Sequence, residues 1–77
     1  MNLEKLLLDI VSAIVDTPEE ISITRNEDAN SIELVLKVAE DEMGMVIGRH
    51  GKIAKAIRTV IKAASAGTGK KVTVEIQ

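Results

Sequence analysis

Leu3, Leu6, Leu7, Ile10, Val11 and Ile14 recur at the 3.6-residue period, and Lys5, Asp9, Ser12 and Asp16 fall on the opposite side. This spacing predicts an amphipathic helix, with Asn2 in place to cap its first turn. Thr17-Pro18-Glu19-Glu20 ends the pattern, because the residue before a proline avoids the α region. Ile21 to Arg25 then alternates as a strand does. Asn26 to Asn30 is polar, and Ser31 to Val38 alternates again with Ile32, Leu34, Leu36 and Val38 on one face. So short a connection predicts a hairpin. Glu40-Asp41-Glu42 opens a short second helix, its acids complementing the positive end of the helix dipole, and Met43, Val46 and Ile47 follow on one side. Gly48-Arg49-His50-Gly51 interrupts that helix. From Lys52 a third helix carries Ile53, Ile57, Val60, Ile61 and Ala64 on a stripe, and Gly67-Thr68-Gly69 stops it. Lys71 to Gln77 closes the chain as a strand with Val72, Val74 and Ile76 inward. The order α-β-β-α-α-β predicts an α+β fold with three helices packed on one face of a three-stranded sheet. Leu8 and Val15 widen the apolar arc of the first helix, which suits either a self-association surface or ordinary surface aliphatics.

A chain of 77 residues has room for one domain, 1–77, and buries only about 60% of its unfolded surface, which leaves little for a deep enclosed cavity. No tract reaches the length of a membrane span. The absence of Cys removes disulfides, thiol nucleophiles and Cys-ligated metals, and the lone His50 cannot build a multi-histidine site, so no cofactor or metal is expected. The absence of Phe, Tyr and Trp removes recognition by stacking bases on aromatic rings. Met1-Asn2-Leu3-Glu4-Lys5 has no signal-peptide character, and the chain is expected to be complete and cytoplasmic.

The net charge of −2 conceals a segregation. Residues 1–42 hold eleven acids and three bases, whereas residues 43–77 hold seven bases against Glu75 alone, a balance of −8 and +6. The second half is basic enough to meet phosphates. Within it, the Gly48-Arg49-His50-Gly51 turn leaves backbone uncovered at both ends, so a sugar-phosphate strand could approach its N–H groups and those of the following helix. Arg49 and His50 project from the turn, and Lys52 and Lys55 add charge just beyond it. Two glycines around a turn are equally compatible with a turn and nothing more. Val46, Ile47 and Ile53 are candidates for the floor of an apolar groove, although most of their area is expected in the core. Lys55, Arg58 and Lys62 share one side of the third helix, and for Arg58 and Lys62 a solvated face is the preferred reading. His50 is the one side chain that titrates near neutrality, and a phosphate would favour its charged form.

Two apparent motifs fail. Gly67-Thr68-Gly69-Lys70-Lys71 lacks a P-loop's first glycine, since Ala64 stands there, and Lys71 replaces the magnesium-binding hydroxyl. The acidic runs at 19–20 and 40–42 are accounted for by a turn and a helix start, so no enzyme is expected.

The element order, together with Val46-Ile47-Gly48-Arg49-His50-Gly51 between the last two helices, resembles KH domains of the type II, bacterial topology. The stretch from Asp41 to Ala64 is more closely similar to the small stand-alone bacterial KH proteins of the KhpA type, and the resemblance spans essentially the whole chain, including Asp16-Thr17-Pro18-Glu19-Glu20. It implies binding of single-stranded RNA, with the GxxG residues Gly48, Arg49, His50 and Gly51 holding the backbone of about four nucleotides. An apolar groove role would fall on Val46, Ile47 and Ile53, and more softly on Ile57, Val38 and Val74. It further implies a cytoplasmic RNA chaperone or post-transcriptional regulator that forms homodimers or pairs with a larger multidomain KH-containing protein, away from membranes. Met45 departs from the pattern, since relatives often carry a basic residue there. The competing assignment is a degenerate KH domain that docks on a protein without touching RNA.

Overall fold

The computed structural model describes residues 2–77. Helix α1 (Leu3–Ser12) begins where Asn2 leaves the helical region and its side chain accepts a hydrogen bond from the Lys5 N–H. Its buried residues are Leu3, Leu7 and Val11, one turn apart, with Val15 continuing the line to 7% exposure. Val15 therefore belongs to the core rather than to a partner surface, while Leu8 stays exposed. The helix stops well before Pro18, and the Val15 N–H still reaches back to Val11 O through an irregular turn. A single 3₁₀ turn, Pro18–Glu20, leads into β1 (Ser22–Glu27).

Strand β1 pairs antiparallel with β2 (Ser31–Lys37), Ser22 opposite Lys37 and Glu27 opposite Ile32, and forms the expected hairpin. Its turn is built by Asp28, whose Oδ1 accepts from the N–H groups of Asn30 and Ser31. These bonds favour the ionised carboxylate and hold its pKa below the ordinary value. β3 (Lys71–Ile76) lies on the other side of β2 and runs parallel to it, Leu34 opposite Val74, giving the order β1-β2-β3. A parallel neighbour needs a crossover, which the two remaining helices supply. β2 is central, and its alternation buries Ile32, Leu34 and Leu36 against the helices.

The segment Glu40–Glu42 forms a 3₁₀ turn, followed by α2 (Met43–Ile47), the Arg49–Gly51 turn and α3 (Lys52–Ala64). α3 buries Ala54, Ile57 and Ile61. Ile53 and Val60, expected on the same stripe, stand exposed at 37% and 47%, because the stripe facing the sheet is centred about a residue further round the helix. One cluster, from Leu3, Leu7 and Val11 through the β2 residues to Val46, Ile57 and Ile61, forms the core. Each fully buried aliphatic contributes about 1.5–3 kcal/mol.

Candidate nucleic-acid interface

The Gly48–Gly51 turn is shaped by three successive demands on the backbone. Gly48 adopts φ 75, ψ 177, a region essentially restricted to glycine. A Cβ there would also meet Ile53 Cγ1 at 2.6 Å, so the bare Cα is required twice over. His50 follows at φ 57 and Gly51 at φ 73, both left-handed, with nothing within 4 Å of where a Gly51 Cβ would lie. A non-glycine residue held in this region is strained, and such strain collects at ligand-contacting sites. The Gly51 N–H returns to Gly48 O at 3.2 Å, closing the turn.

Around this turn the cations are free. Arg49, His50, Lys52 and Lys55 are all exposed and form no salt bridge among the described residues. The cations elsewhere that do pair are Lys5 with Asp9, Arg25 with Glu4 and Glu27, and Lys70 with Glu27. Hydrogen bonds from Lys70 and Arg25 hold the Glu27 carboxyl below its ordinary pKa, and those from Arg25 to Glu4 and Glu27 push the guanidinium up. No carboxylate pairs with these side chains among the described residues, which leaves them available to a polyanion.

The apolar candidates divide. Ile47, at 39% exposure, and Ile53 reach the surface beside the turn. Val46 does not: it is fully buried on the inward side of α2, so its assignment to a groove floor is corrected to a core role, and the same holds for Ile57, Val38 and Val74. Ile53 also borders an apolar concavity of about 410 Å³ between α1 and α3, lined with it by Leu6, Ile10, Ile14, Val60 and Lys52.

Glu42 is a residue whose role the sequence reading missed. It is buried, 4% exposed, and its carboxylate accepts from the Asp16 N–H (3.0 Å), the Thr17 N–H (3.1 Å) and the Thr17 hydroxyl (3.1 Å). It ties the segment after α1 to the start of the helical pair that carries the turn. The signal was available in its phase, since Glu42 stands four residues before the buried Val46, on the inward side of that helix.

A three-stranded mixed sheet covered by helices, with a Gly-x-x-Gly turn between the last two of them, defines a KH-like α+β fold. The chain belongs to the KhpA/KhpB KH-domain family, whose model matches residues 4–76. Such KH domains are a non-enzymatic kind of protein. The RNA-binding protein KhpA of Clostridium acetobutylicum is 50% identical over 74 residues, covering 96% of this chain and 99% of the relative. That of Bacillus subtilis is 44% identical over 75 residues, covering 97% and 93%. Among solved structures, a crystal structure of an Aquifex aeolicus Era variant bound to GDP.AlF4- superposes with a TM-score of 0.68 at 21% identity, over 96% of this chain and 29% of that one. This likeness is one of fold alone. No helix among the described residues is long and apolar enough to cross a membrane.

Proposed function

We propose that this chain binds single-stranded RNA without catalysing a reaction, and acts as a cytoplasmic RNA chaperone or post-transcriptional regulator. The Gly48–Gly51 turn cradles the sugar-phosphate backbone, Arg49, His50, Lys52 and Lys55 supply the charge, and Ile47 and Ile53 offer apolar surface to bases. The observation that carries this reading is the exposed turn, with strained backbone and unpaired cations, in a member of a family whose relatives are named RNA-binding proteins. Replacing Arg49 and His50 together with Asp sets two carboxylates against the phosphates at exposed positions. Filter binding of a labelled RNA oligonucleotide should then be lost, at least tenfold in affinity, with an unchanged circular dichroism spectrum. Wild-type binding should weaken with salt at a slope near −0.7 per phosphate neutralised. Retained binding by the double-Asp protein, or a salt-independent interaction, favours the protein-docking alternative.

A second activity, pairing with another copy or with a larger multidomain KH-containing protein, is favoured by the apolar concavity between α1 and α3, an exposed hydrophobic surface that the fold leaves uncovered.

A further inference from the structure

The Gly48–Gly51 turn holds the only histidine of the chain, and holds it in an uncommon backbone state. His50 sits at φ 57, ψ 25, and among the described residues it is the one non-glycine with positive φ. Histidine is among the few side chains that the left-handed region accepts readily, and it is the one that ordinarily changes charge between pH 5 and 8. The closed turn thus sets an exposed imidazole at the rim that the sugar-phosphate backbone is expected to meet. His50 makes no salt bridge among the described residues. The turn packs between α2 and α3. α2 has no titratable side chain, and α3 presents only the cations Lys52, Lys55, Arg58 and Lys62. Glu40 and Asp41 lie beyond the far end of α2, and the Glu42 carboxylate is taken up by Asp16 and Thr17. With Arg49 beside it, each other charged group on the turn and on the two helices against it is a cation.

We propose that His50 makes the grip of the turn on RNA depend on pH: its imidazole takes up a proton from solvent as a backbone phosphate settles against it, and returns the proton when the strand leaves. This rests on the RNA-binding reading above and gives one of its four cationic side chains a conditional charge. The helices flanking the turn supply no anion to hold the proton, whereas a bound phosphate does, and an adjacent opposite charge favours the ionised form. Arginine and lysine side chains ordinarily stay charged across the neutral range and set a constant floor of attraction, to which the histidine adds only when protonated. Because the protonated ring binds a phosphate more tightly than the neutral one, affinity rises as pH falls from about 8 toward about 5. It levels off once the free protein is itself protonated at that ring.

The test measures the affinity of the full chain for an oligouridylate, whose bases do not titrate in this range, from about pH 8 to about pH 5.5 at fixed ionic strength. Affinity should rise about fivefold toward the acid end, the upper range for one exposed ion pair. The log–log salt slope should be steeper there by about 0.7, the increment for one added phosphate contact on a single strand. Calorimetry midway between the two, in buffers of unlike ionisation enthalpy, should record the uptake of part of a proton per strand bound. His50→Asn keeps a residue suited to the left-handed backbone and removes the titration. With an unchanged circular dichroism spectrum, it should flatten the affinity profile, equalise the two salt slopes and abolish the proton uptake. A flat wild-type profile, or a pH dependence and proton uptake that His50→Asn retains, overturns the proposal while leaving RNA binding in place. Failure to bind the strand at any pH in the series overturns the RNA-binding reading and this proposal with it, so the two failures give different results.

Discussion

At Gly48 two constraints that are usually separate coincide. Its φ, ψ pair excludes a side chain on backbone grounds, and the Ile53 side chain occupies the space a Cβ would need, with its Cβ and Cδ1 both at 2.9 Å. Gly51 carries only the first constraint, in its milder left-handed form. Gly48→Ala should therefore lower unfolding free energy by roughly 1–3 kcal/mol and Gly51→Ala by about 1 kcal/mol. Urea unfolding must be followed by circular dichroism, since the chain has no aromatic fluorophore. Adding Ile53→Ala to Gly48→Ala should return part of the steric loss, the clash with Cγ1 and Cδ1, while the contact with the Ile53 Cβ at 2.9 Å remains; a double-mutant cycle isolates that coupling. Equal losses at the two glycines would show that Ile53 does not fix the turn. The glycine spacing made this turn visible in the sequence, and the cations around it too. The left-handed His50 was not visible, because a backbone angle at a non-glycine residue is imposed by the closed turn on both sides of it rather than by its own chemistry.

The helices and strands were legible wherever burial followed a single period: the Asn2 cap, the alternation of β2 and the crossover pair all stand where the pattern put them. The pattern failed where one side chain served two elements. Glu42 read as one of three acids at a helix start, yet it is buried and bound to backbone 25 and 26 residues away. Its phase with Val46 could have shown that Glu42 turns inward, but not what it binds, since short-range periodicity reports a face and not its partner. Removing the carboxylate with Glu42→Ala strands the Asp16 and Thr17 N–H groups and should destabilise the fold by about 2–3 kcal/mol, the penalty of unsatisfied donors to a charged acceptor. Glu42→Gln keeps the shape and one acceptor oxygen and should lose less. Amide hydrogen exchange at Asp16 and Thr17 checks this directly. Exchange there should accelerate in the Ala variant ahead of global unfolding, and unchanged protection would mean that these amides are held by something other than Glu42.

Over the whole molecule, the chain's two oppositely charged halves do not form two lobes, because the basic α3 packs beside the acidic α1 and the acidic β1–β2 hairpin shares its central strand with β3. The resulting surface presents cations at the turn and along one side of α3, and aliphatics along the other. The sequence showed the amphipathic arcs, put Val60 on the stripe with Ile57 and Ile61, and named Ile53 a groove candidate with most of its area expected in the core, since periodicity cannot tell a stripe that faces the sheet from its continuation onto a surface shared by two helices. That continuation is what makes pairing plausible: Leu6, Ile10, Ile14, Ile53 and Val60 line one concavity, and an aliphatic patch of this kind is stabilised by being covered. Sedimentation equilibrium should accordingly show an apparent mass that rises with concentration from 8.3 kDa toward twice that value. Val60→Asp places a carboxylate at a site already 47% exposed, so folding is preserved while burial of the patch becomes unfavourable. Its mass should stay at the monomer value at every concentration, and its RNA binding through the turn should persist. A wild-type protein that remains monomeric throughout the same range would rule out pairing between copies, and leaves the concavity to a heterologous KH-containing partner, testable by adding that protein to the same cell.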